Sequence, residues 1–370
     1  MAPPRSKTKR RKAVTLKMVA EHVGLSPATV SVVLNRSPVA DSIPQETKDR
    51  VIEAARELKY RPNYMARSLR RQRSFSIGVL IPEIIDGYAT VVLSGVEAHL
   101  IHEGYFYLVA SHHSRKDLLD EYLGMLKDRL VEGYVLVNTP LDTPPDLPAV
   151  SVSGHENLES VTNVVIDHDH AIYHALAHLS ELGHERVAFF KGHPGSNDTE
   201  DRWRAILDKS AELGLEVREE LTIQLSGEGS GESFTPEEGY EEGYAFGKKL
   251  IDRGHPFTAL FAFNDVSAIG AMRALLDAGL RVPDDVSVVG FDDIQSAAFH
   301  NPGLTTVRQP LREMGQIAAR VLLERLAGGE PGPEVVTVEP ELVVRGSTGP
   351  APRAASSWPA RLTAAALASG

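Results

Sequence analysis

From Phe75 onward the chain alternates short β-branched apolar runs with amphipathic stretches, and few architectures bury both. FSIGVLIP (75–82), YFYLVAS (105–111) and GYVLVN (133–138) are near-continuous apolar runs. Such runs are predicted as strands of a parallel sheet that is covered on both faces. ATVVLSGVEAHLIHEG and KDLLDEYLGMLKDRL lie between them with helical spacing, and ERVAFFKG, ALFAFND and VSVVGFDD continue the alternation. Repeated strand–helix–strand units predict doubly wound α/β sheets. The run extends over about 270 residues, which predicts two lobes rather than one. Ligands in open α/β sheets sit beyond the carboxyl ends of the strands, so the residues just after each strand are the candidates for binding.

Charge separates a different module from this body. Residues 1–74 hold 17 Lys and Arg against 6 Asp and Glu, whereas the whole chain carries a net charge of −11. A basic head on an acidic body fits a nucleic-acid-binding module whose body repels DNA. Residues 1–13, with Arg5, Lys7, Lys9, Arg10, Arg11 and Lys12, are expected to be a disordered arm that meets phosphate. A solubility tail and a localisation signal are the alternative readings of that run.

The stretch VTLKMVAEHVGLSPATVSVVLN (14–35) predicts two short helices and a tight turn. Thr15 can cap the first helix, in which Val19, Ala20 and Val23 form one face. Gly24 suits the turn because it accepts a positive φ. Ser26 can cap a second helix with Pro27 at its first position. Val30, Val33 and Leu34 are its expected buried face, with Ala28, Thr29 and Ser31 small or polar near its N-terminal half. An ordinary helical hairpin would show the same pattern; a DNA-reading helix-turn-helix would turn those residues toward base edges. Residues 45–58 add a third amphipathic helix with Val51, Ile52, Ala55 and Leu58 on one face. Asn63 can cap a further helix from Tyr64 to about Arg71, too short to be stable alone in water.

The pattern TLxxVAxxxGxSxxTVSxxLN, followed by Pro62-Asn63 and the Ala66, Leu69 spacing, resembles the bacterial regulators of the lactose-repressor/galactose-repressor family. His178-Leu179 with Leu182-Gly183-His184, Phe263-Asn264-Asp265, SVVGFDD (287–293) and Leu304-Thr305-Thr306-Val307 extend the resemblance downstream. It implies a helix-turn-helix domain at 14–60, a hinge helix at 61–74, and a periplasmic-binding-protein-like core at 75–346. The first lobe is then expected at about 75–166 and 311–335, and the second at about 167–310 and 336–346. Thr15, Ser26, Pro27, Ala28, Thr29, Ser31, Val32 and Asn35 are the implied DNA contacts of the head. Asn63, Ala66, Arg67 and Leu69 are those of the hinge, with Leu69 wedged into a minor-groove base step; a contact between Leu69 and the head is the alternative. Val32 departs from a position that is commonly a longer polar side chain, often Arg, and valine cannot make a bidentate contact to guanine.

Asp86, Tyr88, Asn138, Ser153, Arg202, Asn264 and Asp292 follow strands or open the helices after them, and the resemblance implies that they hold a small effector. An Arg fork and a carboxylate suit a polyhydroxylated ligand, a sugar or sugar derivative. An ion pair between Arg202 and Asp292 is the competing reading. Trp203, rotated about 100° from Arg202 on a helix, is expected in the core. Ser153 occupies a position often acidic in the family, so no familiar sugar is assumed.

Other constellations carry less. The chain has no cysteine. Asp167-His168-Asp169-His170 lies between a strand and a helix, where successive side chains diverge, so no metal is expected. His102, His155 and His184 each precede Glu without the second His that a zincin needs, and the Gly227–Gly231 run lacks a strand–helix context. G-x-S-x-G and Walker A patterns are absent. The expectation is a cytoplasmic transcriptional regulator, not an enzyme, with no cofactor and no membrane partner. A transport binding protein or a sugar-modifying enzyme would leave the head unexplained. Near-palindromic operator DNA implies a homodimer, and the Ala/Ser/Pro-rich segment 347–370 is expected to be a flexible tail without heptads.

Overall fold

Helix caps build the head. In the computed structural model, which describes residues 14–35, 38–60, 73–84, 87–113, 115–154, 158, 160–194, 196, 198–226, 236–329 and 334–352, α1 spans Leu16–Val23, α2 Pro27–Leu34 and α3 Gln45–Glu57. Residues 1–74 and 75–370 are two units. Thr15 Oγ1 accepts from the Met18 amide and Ser26 Oγ from the Thr29 amide, which satisfies donors that each helix start leaves open. Gly24 closes α1 at φ 66°, a conformation that a Cβ would strain. Val19, Ala20, Val23, Val30, Val33, Val51, Ala54 and Ala55 form the core of this unit. Three expectations are corrected here. Ile52 is exposed and Ala54 takes its place inward, because the apolar stripe of α3 follows i, i+3, i+4. Ser31 is buried, and Leu34 only half-buried.

The core unit contains two six-stranded sheets. The first has the order β11-β5-β4-β3-β1-β2, with β1 at Ser76–Ile81, β2 at Phe106–Ser111, β3 at Gly133–Val137, β4 at Ala149–Val152, β5 at Val161–Ile166 and β11 at Val335–Val338. All five of its pairings are parallel. The second has the order β12-β10-β9-β8-β6-β7, with β6 at Val187–Lys191, β7 at Thr222–Gln224, β8 at Ala259–Phe261, β9 at Ser287–Asp292, β10 at Thr305–Arg308 and β12 at Glu341–Val343. Only β12, against β10, is antiparallel. The helices are α4 (Tyr88–His102), α5 (Lys116–Asp128), α6 (His168–Glu181), α7 (Asp198–Glu212), α8 (Pro236–Asp252), α9 (Asp265–Asp277), α10 (Gln295–Phe299) and α11 (Leu311–Leu326). In the first lobe α4 meets α11 at backbone distance. A Cβ on Gly95 would fall 1.9 Å from the Arg312 carbonyl oxygen.

The chain passes between the sheets after β5, after β10 and after β11. Three details differ from the sequence reading. β11 pairs with β5 through Val338, so residues 336–338 belong to the first lobe; the strand carries the chain past the expected boundary before it crosses. β2 is an edge strand with one neighbour, and Phe106 is 61% exposed, so it is not a buried strand. Residues 347–352 are not a loose tail. Ser347 Oγ donates to the Val288 carbonyl and accepts from the Thr305 amide, His184 Nε2 lies 3.0 Å from the Gly349 carbonyl, and the Ala351 amide donates to Leu182. These polar groups bind the segment as a further edge of the second lobe. Positions 1–13, most of the hinge, Asp86, Gly227–Gly231 and residues 353–370 lie outside the described residues.

Candidate functional site

In the head, Ser26, Pro27 and Ala28 are exposed at the start of α2, with Thr29 and Val32 half-buried. Ser26 and Thr29 are tied together, their hydroxyl oxygens 2.8 Å apart. Ser31 points inward. Its hydroxyl and carbonyl oxygens both accept from Asn35 Nδ2, at 3.1 and 2.7 Å. Ser31 and Asn35 thus fasten the C-terminal turn of α2 rather than presenting open polar groups. Thr15 is exposed at the cap of α1. Asn63, Ala66, Arg67 and Leu69 lie outside the described residues.

In the core, the carboxyl ends of the strands bring together most of the other candidates. Tyr88 opens α4, and its hydroxyl lies 2.7 Å from Ser153 Oγ, just past β4. Ser153 is buried at φ 54° and Asn138, just past β3, has φ 43°, so both strands end in a left-handed residue that turns the chain out of the sheet. Asn138 Oδ1 is buried without a hydrogen-bond partner among the described residues.

The second lobe contributes charge. Arg202, on α7, is 2% exposed. Its Nη1 donates to the Phe263 carbonyl at 2.6 Å and its Nη2 lies 3.7 Å from Asp198, one turn earlier on the same helix. The guanidinium carbon sits 3.7 Å from the Phe291 ring centroid and 4.4 Å from that of Phe263. Cation–π attraction offsets part of the desolvation of that charge. Burial still draws the Arg202 pKa down, opposed by Asp198 and then by Asp292. Asp198 also meets His168 Nε2 at 3.3 Å, at the start of α6.

Asp292 ends β9 at φ 115°, a strained conformation for a residue with a Cβ. Its Oδ1 accepts from Gln309 Nε2 at 2.6 Å, and Gln309 lies on the passage between β10 and α11. Burial pushes the Asp292 carboxyl up to about 7, against the opposing pull of Arg202 and of the Gln309 hydrogen bond. The Arg202–Asp292 ion pair of the competing reading does not form within 4 Å, and the carboxylate beside Arg202 is Asp198. The neighbouring Asp293 is occupied by Arg308 and Arg345. Asn264 has a structural task. Its Oδ1 accepts from the Ser267 amide at 2.9 Å and caps α9.

The two lobes approach one another here. Burial first, then the field of Asp198, raises the pKa of the Tyr88 hydroxyl, and Asp292 adds to the effect. A Cβ on Gly87 would lie 3.9 Å from Ile294 of the other lobe. Sequence reasoning missed Asp198, His168 and Gln309. Asp198 lies four residues before Arg202, a spacing that pairs charges on one helix face. No local signal marks His168 or Gln309. Trp203 packs edge-on against Phe189, a core contact. Among the described residues no group of three His, Asp or Glu could hold a metal. Asp167 caps α6 by accepting from the His170 amide, while His168 turns inward to Asp198. No described helix is long and apolar enough to cross a membrane.

A helix-turn-helix unit followed by a two-lobed α/β core with a polar cleft defines a ligand-responsive DNA-binding protein. The family model for bacterial regulatory proteins of the lacI family matches residues 15–63, and that for a periplasmic binding protein-like domain matches 176–348. The HTH-type transcriptional repressor PurR of Yersinia pestis (strain Pestoides F) is 31% identical over 347 residues, covering 91% of this chain and 98% of its own. The chain belongs to the lacI family of bacterial transcription regulators. The lac repressor dimer bound to operator and the anti-inducer ONPF matches with a TM-score of 0.80 and 25% identity, over 91% of this chain and 100% of that one. The complex of the transcriptional regulator CelR with cellobiose matches at 0.66 and 28%, over 90% and 99%.

Proposed function

We propose that the chain is a cytoplasmic repressor that binds a near-palindromic operator as a homodimer and responds to a small hydroxyl-rich effector held between the lobes. The observation that carries this reading is the cleft itself. Arg202, Asp198 and Asp292 from one lobe lie beside Tyr88 and Ser153 from the other, in a chain that begins with a DNA-binding head. Related proteins support it: one is a lac repressor dimer on its operator, another the CelR complex with cellobiose.

Ser26, Pro27, Ala28, Thr29 and Val32 would face the major groove, with Thr15 at the backbone and Asn35 setting the end of α2. Asn63, Ala66, Arg67 and Leu69 would serve the minor groove at the operator centre. Asp86, Asn138 and the amide nitrogen of Asn264 would complete the effector shell. An effector that prefers one degree of lobe closure shifts the population of DNA-competent dimers by its differential affinity. The test is fluorescence anisotropy on the DNA upstream of the protein's own gene, across salt concentrations and with sugars added. The expected outcome is steeply salt-dependent binding that one sugar alters. Binding to that DNA no tighter than to unrelated duplex, with sugar still bound by the protein, would favour a transport-type binding protein. Turnover of the sugar would favour an enzyme.

A further inference from the structure

We propose that His170 and His174, on the outward face of α6, form a two-histidine site for a divalent transition ion of the Cu2+, Ni2+ and Zn2+ class. The two residues stand at i and i+4, the spacing that places side chains one above the other on a helix. Both are exposed. Their ring centroids lie 4.4 Å apart, with the ring planes at 56° to one another. An ion bonded to two imidazoles at about 2.0–2.1 Å holds the two nitrogens about 3 Å apart. Rotation about χ2, which is broad for histidine, brings the rings to that spacing without moving the backbone. Among the described residues no hydrogen bond or ion pair occupies either ring, and Tyr173 stands edge-on to His174. The lone pairs of both imidazoles are open to a ligand.

The rest of the helix delimits the site. His168 stands two residues before His170, rotated by about 200° around the axis, and its Nε2 faces Asp198. His178 continues the i, i+4 ladder, but it is half-buried and its Nε2 lies 2.9 Å from Thr348 Oγ1. Two imidazoles therefore bind and water completes the shell, in keeping with the lack of any three-residue metal group among the described residues. Neutral imidazoles with open positions beside them suit these ions, and Cu2+ is held most tightly of the three. Local charge does not oppose a cation. Asp169 is exposed beside His170, and Lys209 on α7, which lies in the field of Asp169, is paired with Glu212 at 3.2 Å. Once one imidazole holds the ion, the other meets it at high effective concentration. The ion then ties the first turn of α6 to the second, on the helix whose His168 faces Asp198.

The experiment uses the full-length protein without an affinity tag, in a non-chelating buffer at neutral pH, with CuCl2, NiCl2 and ZnCl2 as probes. Calorimetry should show a saturable site that takes Cu2+ most tightly. His170→Ala and His174→Ala should each weaken that site by about tenfold, because either change leaves a lone imidazole. Both side chains are exposed, so the melting temperature of each metal-free variant should match the wild type. With substoichiometric Cu2+, electron paramagnetic resonance should show two imidazole nitrogens on the ion in the wild type and one in each variant. Amide exchange across residues 167–178 should slow on addition of Ni2+ in the wild type and not in the variants. A site that both variants retain at full affinity overturns the proposal. So does a wild-type spectrum with a single imidazole nitrogen, the mark of an adventitious ion on a lone surface histidine.

Discussion

The two walls of the cleft are built from different chemistry. The first lobe contributes Tyr88, Ser153 and Asn138, all neutral, whereas the second contributes Arg202, Asp198, Asp292 and His168. The ion pair of the cleft is closed within the second lobe, Arg202 with Asp198 on one helix, and His168 Nε2 meets the same carboxylate. Separating a buried charge from its partner costs several kcal/mol. With Arg202 answered by a carboxylate of its own lobe, the cleft can open without breaking that pair. The neutral wall can then approach or withdraw for the cost of hydrogen bonds and water. A site that must change its opening in response to a ligand benefits from that division.

The comparison breaks most readily at Arg202. Arg202→Ala strips Asp198 of its guanidinium and leaves the Phe263 carbonyl without its side-chain donor, so urea denaturation should show a loss of about 3–5 kcal/mol. If Tyr88→Phe destabilises as much, the charged wall is not the more demanding one. Asp292 gives the next effect, through pH. Its folded-state pKa of about 7 lies above the ordinary value of 3.8. The carboxyl therefore contributes its full stability below the unfolded value and loses it as pH rises toward about 7. In thermal melts across that range, Asp292→Asn should gain stability relative to wild type as pH rises. A constant difference in Tm would mean that Asp292 is already ionised throughout.

Smaller effects sharpen the roles. Asn264→Ala removes the cap of α9 and should cost about 1 kcal/mol, measured by chemical denaturation. The effector response of the folded protein should fall only modestly. Complete loss of response with unchanged stability would make Asn264 chiefly a ligand contact rather than a cap. Tyr88→Phe deletes one neutral hydrogen bond to Ser153, worth about 0.5–1.5 kcal/mol. Its stability change should be far below that of Arg202→Ala, while effector affinity falls because the first wall loses its hydroxyl.

The head was legible almost residue by residue, because caps and turns are local devices. Thr15, Gly24, Ser26 and Pro27 act within a few residues of their own positions, and each stands in the role its chemistry suggests. Ser31 was misjudged. A small polar residue on a helix looks exposed until the packed unit buries it and Asn35 turns back to bond it. In the core, β-branched runs marked the strands, but Phe106 shows that apolar character alone does not say which strand is an edge.

Local sequence determined where the helices start and stop, which runs become strands, that a basic head precedes an acidic body, and that Arg202 opens a helix after one strand while Asp292 ends another. Those properties depend on neighbours in the chain, through backbone propensity and periodicity. Only the tertiary structure decided that Arg202 turns to Asp198 and the Phe263 carbonyl instead of to Asp292. It alone set Gln309 against Asp292, and bound residues 347–352 to the second lobe through His184 and Ser287. Those choices depend on which groups are buried together. A charge or amide out of water takes the partner that the packing brings within hydrogen-bond reach, and that partner can stand anywhere in the sequence.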